Sequence, residues 1–210
     1  MDKIIIMAKE KIIHDELGFD SWEEIHFYWW CKALIDAGYI ESVKIEPPSF
    51  LLTEPLVVEY FKPMKKVSDK MIPEELMKGN IYTCDALITW TDKAFDVFFM
   101  PIASKKRKKK GAVLQFMLAN HSDRLGWYSY VEVKPTFDQN NMTRLAKNNI
   151  KHVYSKYGIF INLAVPEKLF NKTFTPERFL SHNKKAGKRK IKYKNIVSLK
   201  TFIDNSSLDS

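Results

Sequence analysis

Polar and apolar residues alternate most regularly over 127–134, read as WYSYVEVK. The period of two predicts a strand that presents Tyr128, Tyr130, Glu132 and Lys134 on one face and turns Val131 and Val133 toward a core. Pro135 closes that strand, so a carboxylate and an ammonium two residues apart come to the end of a sheet. Upstream, IHFYWWCKALIDA is apolar around most of a helical circumference, which predicts a buried helix packed on a sheet and ended by Gly38 at about position 37. Ser21 and Glu24 have the spacing of a capping box at its start, a structural role for Glu24. Residues 81–91, IYTCDALITWT, predict a strand with Asp85 in its middle, and a carboxylate there is costly unless paired, hydrogen-bonded or bound to metal.

The remaining elements follow from the same patterning. Apolar runs at 95–102 and 112–119 flank a charged stretch ending in Gly111 and predict a hairpin. Thr136 or Asp138 can cap a helix reaching about Tyr157, with Met142, Ala146, Ile150, Val153, Tyr154 and Tyr157 on its apolar stripe. Gly158 ends it, and IFINLAV at 159–165 predicts a strand buried on both faces, so that strand, helix and strand form a right-handed parallel crossover. Residues 1–19 read as a short helix or arm, 39–61 as irregular edge strands punctuated by Pro47, Pro48 and Pro55, and 62–80 as a polar connection with helical turns at 73–77. Short helices or turns are expected at 166–170 and 176–181, then a mobile basic arm and a polar tail.

At 210 residues, 45% of them hydrophobic, the chain suffices for one domain with a substantial core plus appendages, and its composition excludes wholesale disorder. No run approaches the 18 apolar residues of a membrane span, and the start lacks a signal-peptide pattern. The expectation is a soluble cytoplasmic protein, in host cytoplasm if viral, with no membrane partner. Cys31 and Cys84 lack metal-ligand spacing and read as buried, reduced thiols. The formal charge of +9 points to a polyanionic partner. Lys105, Lys106, Arg107, Lys108, Lys109 and Lys110 form an unbroken block suited to a DNA backbone, and a second basic run carries Lys188, Arg189 and Lys190.

In order, the chain carries Ser21-x-x-Glu24 at a helix start, Tyr82-x-x-Asp85, Glu132-Val133-Lys134 at a strand end, then a helix and a strand. Over about 21–165 this resembles the PD-(D/E)XK nuclease superfamily, and within it looks most like the Holliday junction resolvases and the small phage endonucleases near them. It departs from the pattern in having Cys84 where many members have proline, and in the 47 positions from Asp85 to Glu132, which leave Asp92 and Asp96 as rivals for the first carboxylate. The resemblance implies an α/β, restriction-endonuclease-like core of a helix, three antiparallel strands, a helix and a strand. A basic hairpin would be inserted near 100–112, with an N-terminal arm over 1–20 and a basic extension over 166–210. It also implies a Mg²⁺-dependent endodeoxyribonuclease, with Mn²⁺ able to substitute, that hydrolyses phosphodiester bonds structure-selectively in phage recombination, repair or genome processing.

The same resemblance assigns the metal to Asp85, Glu132, the Val133 carbonyl and Glu24, since Mg²⁺ takes carboxylate and carbonyl oxygens. It places Lys134 beside the attacking water and Gln139 in support of the site, with Arg144 and Lys147 on backbone phosphates. Cutting a four-way junction twice calls for a symmetric homodimer. Alternatives are a sequence-specific restriction-like nuclease, a catalytically silent nucleic-acid-binding or assembly protein on the same fold, and a basic RNA-binding or virion component.

Overall fold

The computed structural model describes residues 10–62, 70–102, 117–135, 142–186 and 196–206. Strands β1 (Ile12–His14) and β2 (Leu17–Phe19) form a hairpin whose turn residues, Asp15 and Glu16, have φ of 47° and 65°. Two successive positive φ values match the twist of a tight hairpin. The described part of the segment read as a short helix or arm is therefore extended. Helix α1 (Trp22–Asp36) follows with Ser21 as its N-cap, and Gly38 takes φ +77° just beyond it. Ile25, Phe27, Trp30, Cys31 and Leu34 are fully or almost fully buried along it.

The chain continues through β3 (Ile40–Ile45), β4 (Phe50–Thr53), β5 (Leu56–Lys62), β6 (Lys70–Met77), β7 (Asn80–Tyr82), β8 (Ala86–Trp90), β9 (Phe99–Pro101), β10 (Met117–Ser122) and β11 (Gly126–Val133). Helix α2 (Met142–Tyr157), strand β12 (Ile161–Ala164) and helices α3 (Pro166–Lys172), α4 (Glu177–Ala186) and α5 (Leu199–Ser206) complete it. The result is a mixed α/β fold around an open, mainly antiparallel sheet. Strands β3, β8 and β11 are antiparallel neighbours, and the far side of β11 is shared: β10 pairs antiparallel with its first part and β12 parallel with its last part.

Where β10 and β12 share that border, two buried asparagines take the place of ladder bonds. Asn162 accepts from the Leu118 N–H and donates to the Leu118 carbonyl, both at 2.9 Å. Asn120 accepts from the Phe160 N–H at 3.0 Å and donates to the Phe160 carbonyl at 3.1 Å. A side-chain amide offers the same donor and acceptor as a peptide group, so the sheet divides without stranding buried backbone.

Each sheet face has its own core. Ala86, Ile88, Trp90, Val131 and Val133 pack with α1 and with Leu169, Phe170, Phe174 and Phe179, so the segment after β12 completes the main core. Trp30 stacks between Phe27 and Phe174 and donates from Nε1 to Thr173 Oγ1 at 3.1 Å. Val153 of α2 packs on the other face with Phe50, Leu52, Tyr82, Cys84 and Ile161. Helices thus cover both faces, and β11 is buried along most of its length.

Several expectations are corrected. Residues 70–77 form no helical turn; they are β6, paired with β5 in a ribbon that continues into β4 and β7. The join is tight, because a Cβ on Gly79 would meet the Thr53 carbonyl at 2.9 Å, so only glycine fits. The runs at 95–102 and 112–119 do not form a hairpin: β9 lies parallel to β10, and the intervening 103–116, with its basic block, lies outside the described residues. Asp85 stands before β8, not within a strand, because the chain bends between β7 and β8. Tyr154 and Tyr157 of the expected apolar stripe are exposed, as is Leu163 of β12. The basic arm expected after 181 begins in helix instead, since Lys184 and Lys185 belong to α4, whereas 187–195 lie outside the described residues. No helix among the described residues is long and apolar enough to cross a membrane.

Candidate active site

Asp85 is set by the strands on either side of it. Its N–H donates to the Val131 carbonyl and its own carbonyl accepts from the Glu46 N–H, each at 3.1 Å, which ties it to β11 and to the end of β3. The ladder between β8 and β11 ends at Ala86 and Val131, so the Val133 N–H lies past the start of β8. The Asp85 carboxylate takes that N–H on Oδ2 at 2.5 Å, serving as the ladder acceptor the strand lacks. A structural role is therefore satisfied on one oxygen.

Glu132 alternates with Val131 and Val133 and points to the opposite face, where it is 6% exposed. Both of its oxygens are engaged: Oε1 lies 2.7 Å from Lys134 Nζ, and Oε2 accepts from the Tyr82 hydroxyl at 2.7 Å. Charge-assisted bonds to a buried carboxylate are the strong kind, and together they hold Glu132 in one position. Tyr82 marks the motif by its place three residues before Asp85, but the sequence does not reveal its contact with Glu132. That contact depends on β7 lying beside the end of β11.

Glu24 occupies the first turn of α1. The Glu24 N–H donates to Ser21 Oγ at 3.3 Å, the Ser21 hydroxyl donates to Glu24 Oε1 at 2.8 Å, and the Asp20 N–H donates to Oε2 at 2.9 Å. The capping box predicted for Ser21 and Glu24 is thus present, with Asp20 supplying the backbone donor. Glu24 also lies close enough to Asp85 and Lys134 to act on both electrostatically. The fold brings Glu24, Asp85, Glu132 and Lys134 to one end of the sheet, three carboxylates and one ammonium.

The electrostatics follow from that excess of negative charge in a buried place. Burial, and then the Glu132 charge, push the Asp85 carboxyl up to about 7, against the opposing pull of the Val133 N–H and Lys134. Burial raises Glu24 as well, opposed by its bonds to Asp20 and Ser21. Tyr82 is pushed far up by burial and by Glu132, so it stays protonated as a donor. Cys84 is raised by burial and by Asp85 and Glu132; it remains a thiol, and both cysteines are free and buried.

This donor set suits a hard divalent cation. Asp85 and Glu132 give two carboxylates whose mutual repulsion a cation would relieve. Among the described residues no three His, Cys, Asp or Glu side chains are grouped to hold a metal, so carbonyl oxygen and water would complete the shell, as Mg²⁺ accepts. Asp92 and Asp96 follow β8 and lie at the opposite end of that strand from Asp85. Arg144 and Lys147 are exposed on α2. Gln139, the block 105–110 and Lys188, Arg189 and Lys190 lie outside the described residues. No protein-family model matches this chain, and neither a curated protein nor a solved structure matches it.

Proposed function

We propose that the protein is a metal-dependent DNA endonuclease, structure-selective in the manner of Holliday junction resolvases. The observation that carries this reading is the convergence of Asp85, Glu132 and Lys134, with Glu24 alongside, at one end of the sheet. Tyr82 and the Val133 N–H hold the two inner carboxylates. The order α1, antiparallel β3, β8 and β11, then α2 and parallel β12 supports a restriction-endonuclease-like core.

Asp85, Glu132 and the Val133 carbonyl would hold Mg²⁺, with Glu24 acting through water; the bound ion would polarise the scissile phosphate and acidify a water. Lys134 orients the attacking water and stabilises the charge that develops on the phosphate. Its ammonium, 2.7 Å from Glu132, is held in place before substrate arrives. Tyr82 keeps Glu132 aimed while it remains protonated. Arg144 and Lys147 contact backbone phosphates beside the site, the two basic runs extend that contact, and two copies of the chain cut a junction symmetrically.

The test is cleavage of labelled four-way junction, flap and linear duplex DNA with Mg²⁺, Mn²⁺ or EDTA. Wild type is compared with Glu132→Ala and Lys134→Ala. Metal-dependent cutting, preferring the junction and lost in both variants, is expected. If all three proteins bind DNA alike and none cuts, the chain is a binding or assembly protein and the enzyme reading fails.

A further inference from the structure

Lys11, just ahead of β1, brings a second ammonium to the carboxylate cluster. Its stem lies against Gly18 of β2, where an added Cβ would meet Lys11 Cδ at 2.9 Å and Lys11 Cβ at 3.5 Å, so the glycine leaves the stem its path. Lys11 Nζ is paired with the Glu46 carboxylate. Glu46 takes φ +47°, a conformation costly for a residue with a Cβ, and its N–H donates to the Asp85 carbonyl at 3.1 Å. The partner of Lys11 is therefore tied through its backbone to the first carboxylate of the site.

The bond to Glu46, opposed by desolvation and aided by the charges of Glu46, Asp20 and Glu24, raises the Lys11 pKa and keeps the group an ammonium. Glu24 acts on both Lys11 and Asp85, which sets Lys11 at the Glu24 side of the cluster. Lys134 is largely buried and held by Glu132 at 2.7 Å. Lys11 and Glu46, by contrast, are 39% and 51% exposed, so their pair contributes little in water and can be exchanged for another anion. A DNA strand entering the site meets the carboxylates of Asp20, Glu24 and Glu46, and Lys11 is a cation placed among them.

Resting on the nuclease reading, we infer that Lys11 binds substrate: its ammonium leaves Glu46 for the DNA backbone phosphate next to the scissile one and so aligns the strand across Asp85 and Glu132. The test measures binding of labelled four-way junction by fluorescence anisotropy between about 50 and 200 mM salt, with Ca²⁺ in place of Mg²⁺. Each phosphate contact contributes about 0.9 to the slope of log affinity against log salt. Lys11→Gln should weaken binding about 3- to 10-fold and lower that slope by about 0.9, while Lys11→Arg retains both. Glu46→Gln separates contact from bracing, because it breaks the pair but keeps the ammonium; binding as tight as that of wild type, or tighter, is expected. An unchanged slope in Lys11→Gln, or a loss in Glu46→Gln as large as that in Lys11→Gln, overturns the inference. Binding is read and not cleavage, so the two readings fail separately: a wild type that shows these changes but never cuts overturns the nuclease and keeps the phosphate contact. A wild type that does not bind the junction overturns both.

Discussion

Asp85→Asn tests the electrostatics of the carboxylate cluster directly. In the folded chain the Asp85 carboxyl titrates at about 7 instead of its ordinary 3.8. Between those values the native state holds a proton that the unfolded chain has released. Stability is therefore greatest below the lower value and falls as pH rises through 7. At about 1.4 kcal/mol for each pH unit of displacement, the full effect at pH 8 is at most about 4 kcal/mol, and sharing of the proton with Glu132 reduces it to about 2–4 kcal/mol.

Asparagine removes the charge yet keeps an oxygen for the Val133 N–H. The variant should match wild type below about pH 3.8, exceed it by about 1–2 kcal/mol at pH 5 and by about 2–4 kcal/mol at pH 8, measured by urea denaturation at several pH values. His26 works in the opposite direction, because burial lowers it to about 4 and stability is lost as pH falls from 6.5 toward that value. Both proteins carry His26, so the difference between them isolates Asp85. Adding Mg²⁺ at ten times its dissociation constant should stabilise wild type at pH 8 by about 1.4 kcal/mol and leave the variant unchanged. A wild-type-to-variant difference that does not vary with pH would refute the reasoning.

Other perturbations test the supports of the site. Tyr82→Phe deletes the donor to Glu132 Oε2 and should lower stability by about 1.5–3 kcal/mol in thermal or urea unfolding, together with slower cleavage. Asn162→Leu leaves the Leu118 N–H without its partner where the sheet divides and the Leu118 carbonyl with only the Ser129 hydroxyl; a loss of about 2–4 kcal/mol is expected, with faster hydrogen exchange along β10 and β12. Ser21→Ala removes the N-cap of α1 and should cost about 1 kcal/mol by denaturation, while Ser21→Thr, which keeps both the acceptor for the Glu24 N–H and the donor to Glu24 Oε1, should retain most of it.

Much of the local structure is legible in the sequence because it depends on neighbours a few residues apart. The alternation over 127–134 specifies β11 and separates Glu132 from the two core valines. The Ser21 cap, the near-continuous apolar surface and Gly38 bound α1, and the stretch from Met142 to Gly158 delimits the end of α2 before the parallel return of β12. Glu24, Asp85, Glu132 and Lys134 can be named as candidates on type and spacing alone.

What the sequence by itself determined is thus the identity of most elements and the polar residues at their ends. Tertiary structure alone decided how those ends meet. Only pairing across the sheet places the Asp85 carboxylate on the Val133 N–H and the Tyr82 hydroxyl on Glu132, partners 48 and 50 residues apart. Pairing likewise set β9 parallel to β10 and drew 70–77 into a ribbon with β5, against their local signals, because a strand's partner and direction depend on hydrogen bonds that close over long loops. The cleft lined by Trp29, Phe174 and Leu199 is likewise a property of packing, since periodicity shows which face of a helix is buried but not how closely two elements meet.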